Sequence, residues 1–413
     1  MSDQRPRAYL DLGPRKHLRT GRAVWSDTRH PPLAVHALRQ SLKVDVAIVG
    51  AGITGAFMAH ALAPRFERVV VLDRREPGLG STHASTAMLQ FEIDTPLTRL
   101  ADRIGHAAAA RAWVRSWRAT QALIRMVREE DIRCGLAERG ALYLCGNAMG
   151  ARGMAKEARA RNRAGLACEF LSGRQLRARF GIARTGAILS PGAAVADPVA
   201  LARGLLRRAR GQGARVFAPA EVHGVMATRH GVVLDAGRHV VEARKAIFCT
   251  GYETVLPLPA RGMTITSSWA AATAPGAAYP PWLDRLVAWE AAKPYLYLRT
   301  TTDGRLLVGG EDAALDSPSY RADTLAQKGR RLAAKTARLL PGVRPAWTHV
   351  WAGAFGESAS GLPVIDAVPG MPGCFTVMGF GGNGTVYAML AARLMPGLLA
   401  GRAPADSGLF RFR

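Results

Sequence analysis

The 413-residue chain lacks any apolar run of membrane-spanning length, and its first 40 residues, with scattered arginines, prolines and Trp25, hold no apolar signal-peptide core. Neither a transmembrane helix nor a secretory leader is expected, and a cytoplasmic location follows by default. Cysteine is scarce: Cys134, Cys145, Cys168, Cys249 and Cys374 form an odd, scattered set without C-x-x-C spacing. That argues against a disulfide framework and against a zinc site, leaving buried free thiols and no metal. Acidic residues are also few, 31 against 56 Lys and Arg, for a net charge of +25. A surface so basic attracts nucleic acid or anionic lipid. The arginines, however, recur along helical stretches such as RQLRARF, GLLRRAR and KGRRLAAKTARLL, among abundant Ala and Gly, with no basic tail and no aromatic-interleaved patch. Solvated helix faces account for them, so no nucleic-acid partner is expected, while anionic substrates stay open. There is no internal repeat and no convincing Ser/His/Asp constellation.

What is present begins at Val44. Val44 to Val49 is an apolar run suited to a strand buried on both faces, and Gly50, Gly52 and Gly55 then complete G-x-G-x-x-G. Gly50 permits the tight turn, Gly52 the approach of backbone N–H groups to a pyrophosphate, and Gly55 the close packing of the following helix. The helix N-terminus, where Ile53 and Thr54 lie, faces the phosphates with unpaired donors. Val69 to Leu72 supplies a second apolar strand, ending in Asp73 about 20 residues beyond the glycines, where a carboxylate can bind a ribose hydroxyl. Strand, glycines, helix, strand and acid in register predict a dinucleotide-binding βαβ unit.

Beyond it, Gly80 to Asp94 is too polar and small-residue-rich for a buried strand. Thr95 and Pro96 read as N-cap and first-turn proline of a helical stretch through about Glu130, with Gly105 as a possible kink. A short strand is expected at Ala141 to Cys145. Asp197 and Pro198 start a helix over Val199 to Arg210, followed by strands at Ala214 to Phe217, Val222 to Met226 and Ala246 to Cys249, the last running into Thr250-Gly251 and expected to rejoin the first sheet. From Arg261 to Val308 the pattern turns β-rich, with Tyr295, Tyr297 and Arg299 alternating on one strand face, in what looks like a separate sheet. Asp323 to Leu340 reads as helix, Phe375 to Met378 as strand, and Thr385 to Leu399 as a terminal helix behind the loop Gly379 to Gly384.

That loop is a second G-x-G-x-x-G, through Gly379, Gly381 and Gly384. Only 29 residues follow Gly384, and none forms an apolar strand ending in an acid, so a second dinucleotide unit is excluded. The loop can instead aim N–H groups at an electron-rich atom such as a flavin pyrimidine carbonyl, or serve only as a tightly packed connection.

With those segments in hand, the chain resembles the FAD-dependent oxidoreductases of the D-amino acid oxidase, glycine oxidase and sarcosine oxidase family over most of residues 40 to 400. GAGITG with Asp73 resembles the family's ADP-binding unit, GLGSTHASTA (Gly78 to Ala87) its flavin-contacting segment, and DPVALARGLLRRARGQGARVF its second FAD-domain helix and strand. AIFCTG (Ala246 to Gly251) resembles its A-T-G turn, WAGAFGESASGLPVI (Trp351 to Ile365) the stretch before its last strand, and GFGGNGT its final flavin loop. The resemblance implies an α/β protein. A Rossmann-like FAD-binding domain of glutathione-reductase type would be interleaved with an α+β substrate domain on a mostly antiparallel sheet. The FAD-domain parts are then 40–98, 151–255 and 346–413, a helical and substrate segment 99–150, and the substrate domain 256–345. It further implies non-covalent FAD held by Gly50, Gly52, Ile53, Thr54, Gly55, Asp73, Arg74, Ser81, Thr82, Thr86, Val222, Thr250, Gly251, Gly381, Gly382, Asn383, Gly384 and Thr385.

The reaction implied is oxidation of a C–N bond in an amine or amino acid by hydride transfer to flavin N5, with an imine hydrolysed by water and oxygen or an unknown carrier as electron acceptor. Such cofactor chemistry needs alignment and a dry cavity more than an acid–base triad. An RNA-modifying flavoprotein using the basic surface and an aromatic-type flavin monooxygenase are the alternatives, the latter disfavoured because its late G-D segment is missing, Glu311-Asp312 following Gly309-Gly310 instead. One departure bears on substrate. The family's usual G-L-R-P arginine, which pairs with a substrate carboxylate, is replaced by Gly353-Ala354-Phe355-Gly356, and Ala or Phe cannot replace a bidentate guanidinium. Either the substrate has no α-carboxylate or another cation serves. Arg299 is the candidate, beside Tyr295 and Tyr297, and the rival reading makes that face a structural ladder; Glu290 and Lys293, just before that strand, are weaker candidates for binding a cationic substrate or the rim. His83 stands one residue short of the spacing at which relatives attach flavin covalently, and Cys374 reads as a strand residue.

Overall fold

The computed structural model describes residues 9–12, 15–253 and 263–412. Two sheets organise it. In the first, Leu42–Val49 lies between His239–Phe248 and Val69–Leu72, all parallel, with Arg215–Phe217 beyond Val69–Leu72 and Cys374–Met378 on the far side of His239–Phe248. An antiparallel meander, Gly224–Thr228 and Gly231–Ala236, extends from His239–Phe248, and Tyr9–Asp11 pairs at its edge. The parallel strands are buried on both faces, which is why they read as unbroken apolar runs. The helix Ile53–Leu62 is buried almost all round, against Pro198–Gly211 and the terminal helix Gly384–Leu399, and its even apolarity fits that position.

The second sheet runs in the order Arg19–Gly21, Trp347–Ser358, Met263–Thr273, Leu306–Ala313, Leu296–Thr300, Leu286–Glu290, Ala137–Leu144, Gly186–Val195 and Met88–Leu89, with Glu169–Ser172 beside Gly186–Val195. It is antiparallel except where Leu286–Glu290 meets Ala137–Leu144. The helix Pro318–Leu339 covers one face.

The expected mixed fold with interleaved domains is what forms, and its seams differ from those read in the sequence. Residues 169–195, assigned to the FAD-binding part 151–255, build strands of the second sheet, and so do Trp347–Ser358 from the part 346–413 and Met88–Leu89 from the part 40–98. The chain before residue 40 contributes a strand to each sheet. Sheet membership is a matter of pairing between distant segments, which local pattern does not carry. The stretch Gly80 to Asp94, read as unsuited to a buried strand, contains Met88–Leu89 with Leu89, Phe91 and Ile93 buried.

Local boundaries moved as well. The strand expected at Val222 to Met226 is Gly224–Thr228, and the helix expected from Asp323 begins at Pro318, capped by the Ser317 hydroxyl accepting from Tyr320 N–H. Asp197 caps its helix as expected, accepting from Val199 and Ala200 N–H. Thr95 does not act as a cap. The N–H groups of Leu97 and Thr98 donate instead to the buried Glu157 carboxylate at 2.8 and 2.9 Å, from a helix 60 residues away. Gly105, at φ +84°, separates Leu97–Ile104 from His106–Glu129. Arg152, Arg159, Arg163, Arg330 and Arg338 stand exposed on outer helices. Among the described residues no helix is long and apolar enough to cross a membrane.

Candidate active site

The nucleotide turn is built as its glycines require. Gly50 sits at φ +108°, and a Cβ on Gly55 would overlap the Gly50 carbonyl oxygen, so Gly55 works by letting the helix descend onto the turn. Gly52 faces open space apart from Thr82 Oγ1, 3.1 Å from where a Cβ would lie. Asp73 braces the turn, its carboxylate accepting from Ala51 N–H at 2.6 Å and Arg75 N–H at 2.8 Å. Burial raises the Asp73 carboxyl above its ordinary value against the pull of those two donors. Behind it, Arg74 pairs with Glu221 at 2.8 Å, and Arg75 forks onto Glu253 at 2.7 and 2.6 Å. Burial works against ionisation of Glu253, and the Arg75 hydrogen bonds and charge outweigh it, holding that carboxyl below its ordinary value.

The segment Ser81 to Ala87 is held from three sides. Trp351 Nε1 donates to Ala84 O at 2.8 Å, Trp25 Nε1 to Ser85 O at 2.7 Å, and Arg299 Nε to Thr86 O at 2.6 Å. Three successive carbonyls are thus fixed by donors from the second sheet and from the N-terminal arm. Thr82 Oγ1 in turn accepts from Ile53 N–H at 2.9 Å, joining this segment to the nucleotide turn. The late glycine loop is tied down by Asn383, whose Nδ2 donates to Gln90 O at 2.8 Å and Glu92 O at 3.0 Å, and by Gly382 N–H, which donates to Asp94 Oδ2 at 2.6 Å.

These three segments open into one cavity, together with Thr250-Gly251. Its lining includes Gly50, Gly52, Ile53, Thr54, Asp73, Arg74, Ser81, Thr82, Thr86, Val222, Thr250, Gly251, Gly381, Gly382, Gly384 and Thr385, together with Tyr295 and Tyr297. Gly55 and Asn383, also named from the sequence, do not line it; the first packs under the turn and the second anchors the loop from behind. Arg299 does not line it either. Its guanidinium is buried and engaged by the carbonyls of Thr86, Ala196 and Thr300, and it lies 5.4 Å from the Trp25 ring centroid. The structural reading of that residue is the one the geometry carries, while its two tyrosine neighbours face the cavity. Glu290 pairs with Arg184, and Lys293 N–H is held by Asn147, away from the lining. His83 turns from the cavity, its Nε2 3.0 Å from Ser26 Oγ, and burial pushes its pKa down to about 4. Cys374 is a buried strand residue.

The cavity suits an extended dinucleotide. It joins a glycine turn at a helix N-terminus to a second glycine turn across the sheet, and Ser81 Oγ, on one of its lining residues, is buried without a hydrogen-bond partner. Asp94 lines the same space, its side chain open to the cavity. The surrounding protein desolvates it and, with Glu357 and Asp312 adding and Gly382 N–H opposing, pushes its pKa up to about 7. Asp94, Arg75, Glu253 and the N-terminal residues Leu12, Leu18 and Trp25 belong to no motif legible beforehand.

The family model described as FAD dependent oxidoreductase, DAO, matches residues 45–396. A glycine oxidase of Geobacillus kaustophilus (strain HTA426) is 26% identical over 370 residues, 86% of this chain and 93% of that one. The crystal structure of glycine oxidase from Geobacillus kaustophilus aligns with a TM-score of 0.73 at 23% identity, over 88% of this chain and 96% of its own. That of L-proline dehydrogenase from P. horikoshii aligns at 0.72 and 16% identity, over 90% and 97%. At these identities the solved structures establish the fold.

Proposed function

The chain belongs to the DAO family of FAD-dependent oxidoreductases, and from that membership we propose that it oxidises the C–N bond of an amine bound between the flavin and the Tyr295–Tyr297 wall. The observation that supports this reading most directly is the convergence of Gly52, Ser81, Gly251 and Gly382, from four separated segments, on a single cavity. FAD, when bound, would accept a hydride, which carries both electrons, from the carbon bearing the nitrogen, and water would hydrolyse the resulting imine to a carbonyl compound and an amine or ammonia.

The protein's share is binding, alignment and exclusion of water. Gly50, Gly52 and the N-terminus of Ile53–Leu62 would hold the pyrophosphate, since Gly52 leaves room for an anion beside the positive end of the helix. Asp73, fixed by two backbone N–H groups, would meet the ribose through its remaining acceptor positions. Ser81, Thr82 and Thr86 would face the ring system, on a backbone whose carbonyls are held by Trp351, Trp25 and Arg299. The Gly381–Thr385 turn, at the start of the helix Gly384–Leu399, would supply N–H groups and a positive dipole end to the pyrimidine edge. Tyr295 and Tyr297 close the opposite wall, their ring centroids 5.9 Å apart. With His83 bonded to Ser26, nothing in this arrangement calls for a covalent link. The glycine oxidase similarity supports an amine or amino acid as the substrate class.

Anaerobic addition of a panel of amines and amino acids to the holoprotein tests this. Bleaching of the flavin absorbance by some members is expected. A yellow holoprotein that no C–N compound bleaches would dismiss the proposal.

A further inference from the structure

The cavity carries carboxylates and, among the described residues, no unpaired cation. Gly353, Ala354 and Phe355 line the cavity, and among the described residues the only cationic side chains in its lining are Arg74 and Arg75. Both follow Asp73 directly and are paired with Glu221 and Glu253. Arg299, the remaining candidate for a carboxylate clamp, is engaged by three carbonyls. Lys328 lies 4.6 Å from the Trp269 ring centroid and pairs with Glu311.

Of the acids in the lining, Asp73 and Glu253 belong to the nucleotide turn and its Arg75 brace, and Asp94 lies beside Gly382. Its Oδ2 holds Gly382 N–H, and its Oδ1 takes no donor among the described residues. Asp312 and Glu357 stand close enough to act on it electrostatically. A second, independent feature points the same way. Gln90, 8% exposed and in the lining, presents a buried Oε1 acceptor without a donor. Tyr252, Tyr295, Tyr297 and Phe355 add aromatic walls to the same cavity. Carboxylate, unfilled amide oxygen and aromatic faces are the surroundings in which an ammonium group is favoured and a carboxylate repelled.

We infer that the substrate is an amine without a carboxylate, carrying a second cationic group that Asp94 and Gln90 receive beside the Tyr295–Tyr297 wall. This rests on the C–N oxidation proposed above and specifies its substrate class. The nitrogen to be oxidised sits against the flavin as the free amine, and the distal ammonium, as in a short linear diamine, lies in the acidic pocket.

The test uses the holoenzyme with 1,4-diaminobutane, n-butylamine and glycine as reductants, and with tetramethylammonium and acetate as unreactive ions titrated into the oxidised flavin spectrum. The diamine should bleach the flavin at far lower concentration than n-butylamine or glycine, and tetramethylammonium should perturb the spectrum where acetate does not. Asp94→Asn, which keeps an acceptor for Gly382 N–H, should weaken diamine and tetramethylammonium binding about 10- to 100-fold, the range for losing one charge-assisted contact. Gln90→Arg should reverse the preference, admitting acetate; it also covers the case in which Asp94→Asn does not retain flavin. Tighter binding of acetate or glycine by the unaltered protein, or an unchanged affinity for the cation in Asp94→Asn, overturns the inference. Bleaching by none of the three reductants counts against the C–N oxidation reading alone, because the ion titrations still report which charge the pocket accepts.

Discussion

Replacing Arg299 by methionine separates the two roles its position allows. The guanidinium donates to Thr86 O at 2.6 Å, Ala196 O at 3.0 Å and Thr300 O at 3.2 Å and is 2% exposed. Burial first of all lowers its pKa, to about 9, with Asp197 pulling the other way, so the charge is held at a desolvation cost. Methionine fills much of the volume and removes that cost, but leaves carbonyls that lose a charged donor, each worth about 1–3 kcal/mol. Three such carbonyls set the scale at about 3 kcal/mol or more. We expect a net loss near the lower end, about 3 kcal/mol, and a fall in melting temperature of roughly 6–12 °C at about 2–4 °C per kcal/mol. Because Thr86 O is one of the three released carbonyls, FAD should also dissociate more readily. Thermal unfolding of apo- and holoprotein, flavin release by fluorescence, and KM for glycine and for n-butylamine make the measurement. The reasoning fails if melting is unchanged while KM rises selectively for the carboxylate, since that pattern belongs to a guanidinium in the substrate pocket.

The two glycines of the nucleotide turn should respond differently to the same added methyl group. Gly55→Ala drives a Cβ into the Gly50 carbonyl and should abolish folding, whereas Gly52→Ala, with only Thr82 Oγ1 near, should yield folded protein that no longer retains FAD; circular dichroism and flavin content distinguish them. Asn383→Leu strands the carbonyls of Gln90 and Glu92 and should lower stability by about 2–4 kcal/mol while loosening FAD, checked by denaturant unfolding and flavin titration. The Asp94 carboxyl is raised from 3.8 to about 7, so between these values the folded apoprotein binds more protons than the unfolded chain and stability falls as pH rises through that window. Asp94→Asn should flatten this part of the profile, and parallel wild-type and mutant profiles from pH 4 to 8 would contradict it. Acid precipitation should release the chromophore to the supernatant, since His83 is held on Ser26; colour in the pellet would show a covalent bond.

The parts of the site legible in the sequence are those whose geometry is local. A glycine turn between strand and helix positions its N–H groups within a few residues, so Gly50, Gly52 and the loop from Gly379 could be read directly, as could the Asp197 cap. The cap of Leu97–Ile104 could not, because Glu157 supplies it from another helix. Alternation along Tyr295, Tyr297 and Arg299 correctly groups them on one face, yet what meets each differs: two face the cavity, while the Trp25 ring and the carbonyls of Thr86 and Ala196 meet the third. Nothing near Arg299 in the chain announces Trp25, which arrives from 274 positions away.

By itself the order of residues determined that this protein binds FAD on a parallel-stranded sheet, since turn chemistry and buried-strand composition are short-range properties that hold wherever the segment lies. Tertiary structure alone decided which strands share a sheet, that Arg299 holds the Thr86 carbonyl, and that Asp94 faces the cavity. Burial, charge repulsion and hydrogen-bond satisfaction depend on neighbours, and neighbours are set by the packing of segments hundreds of residues apart.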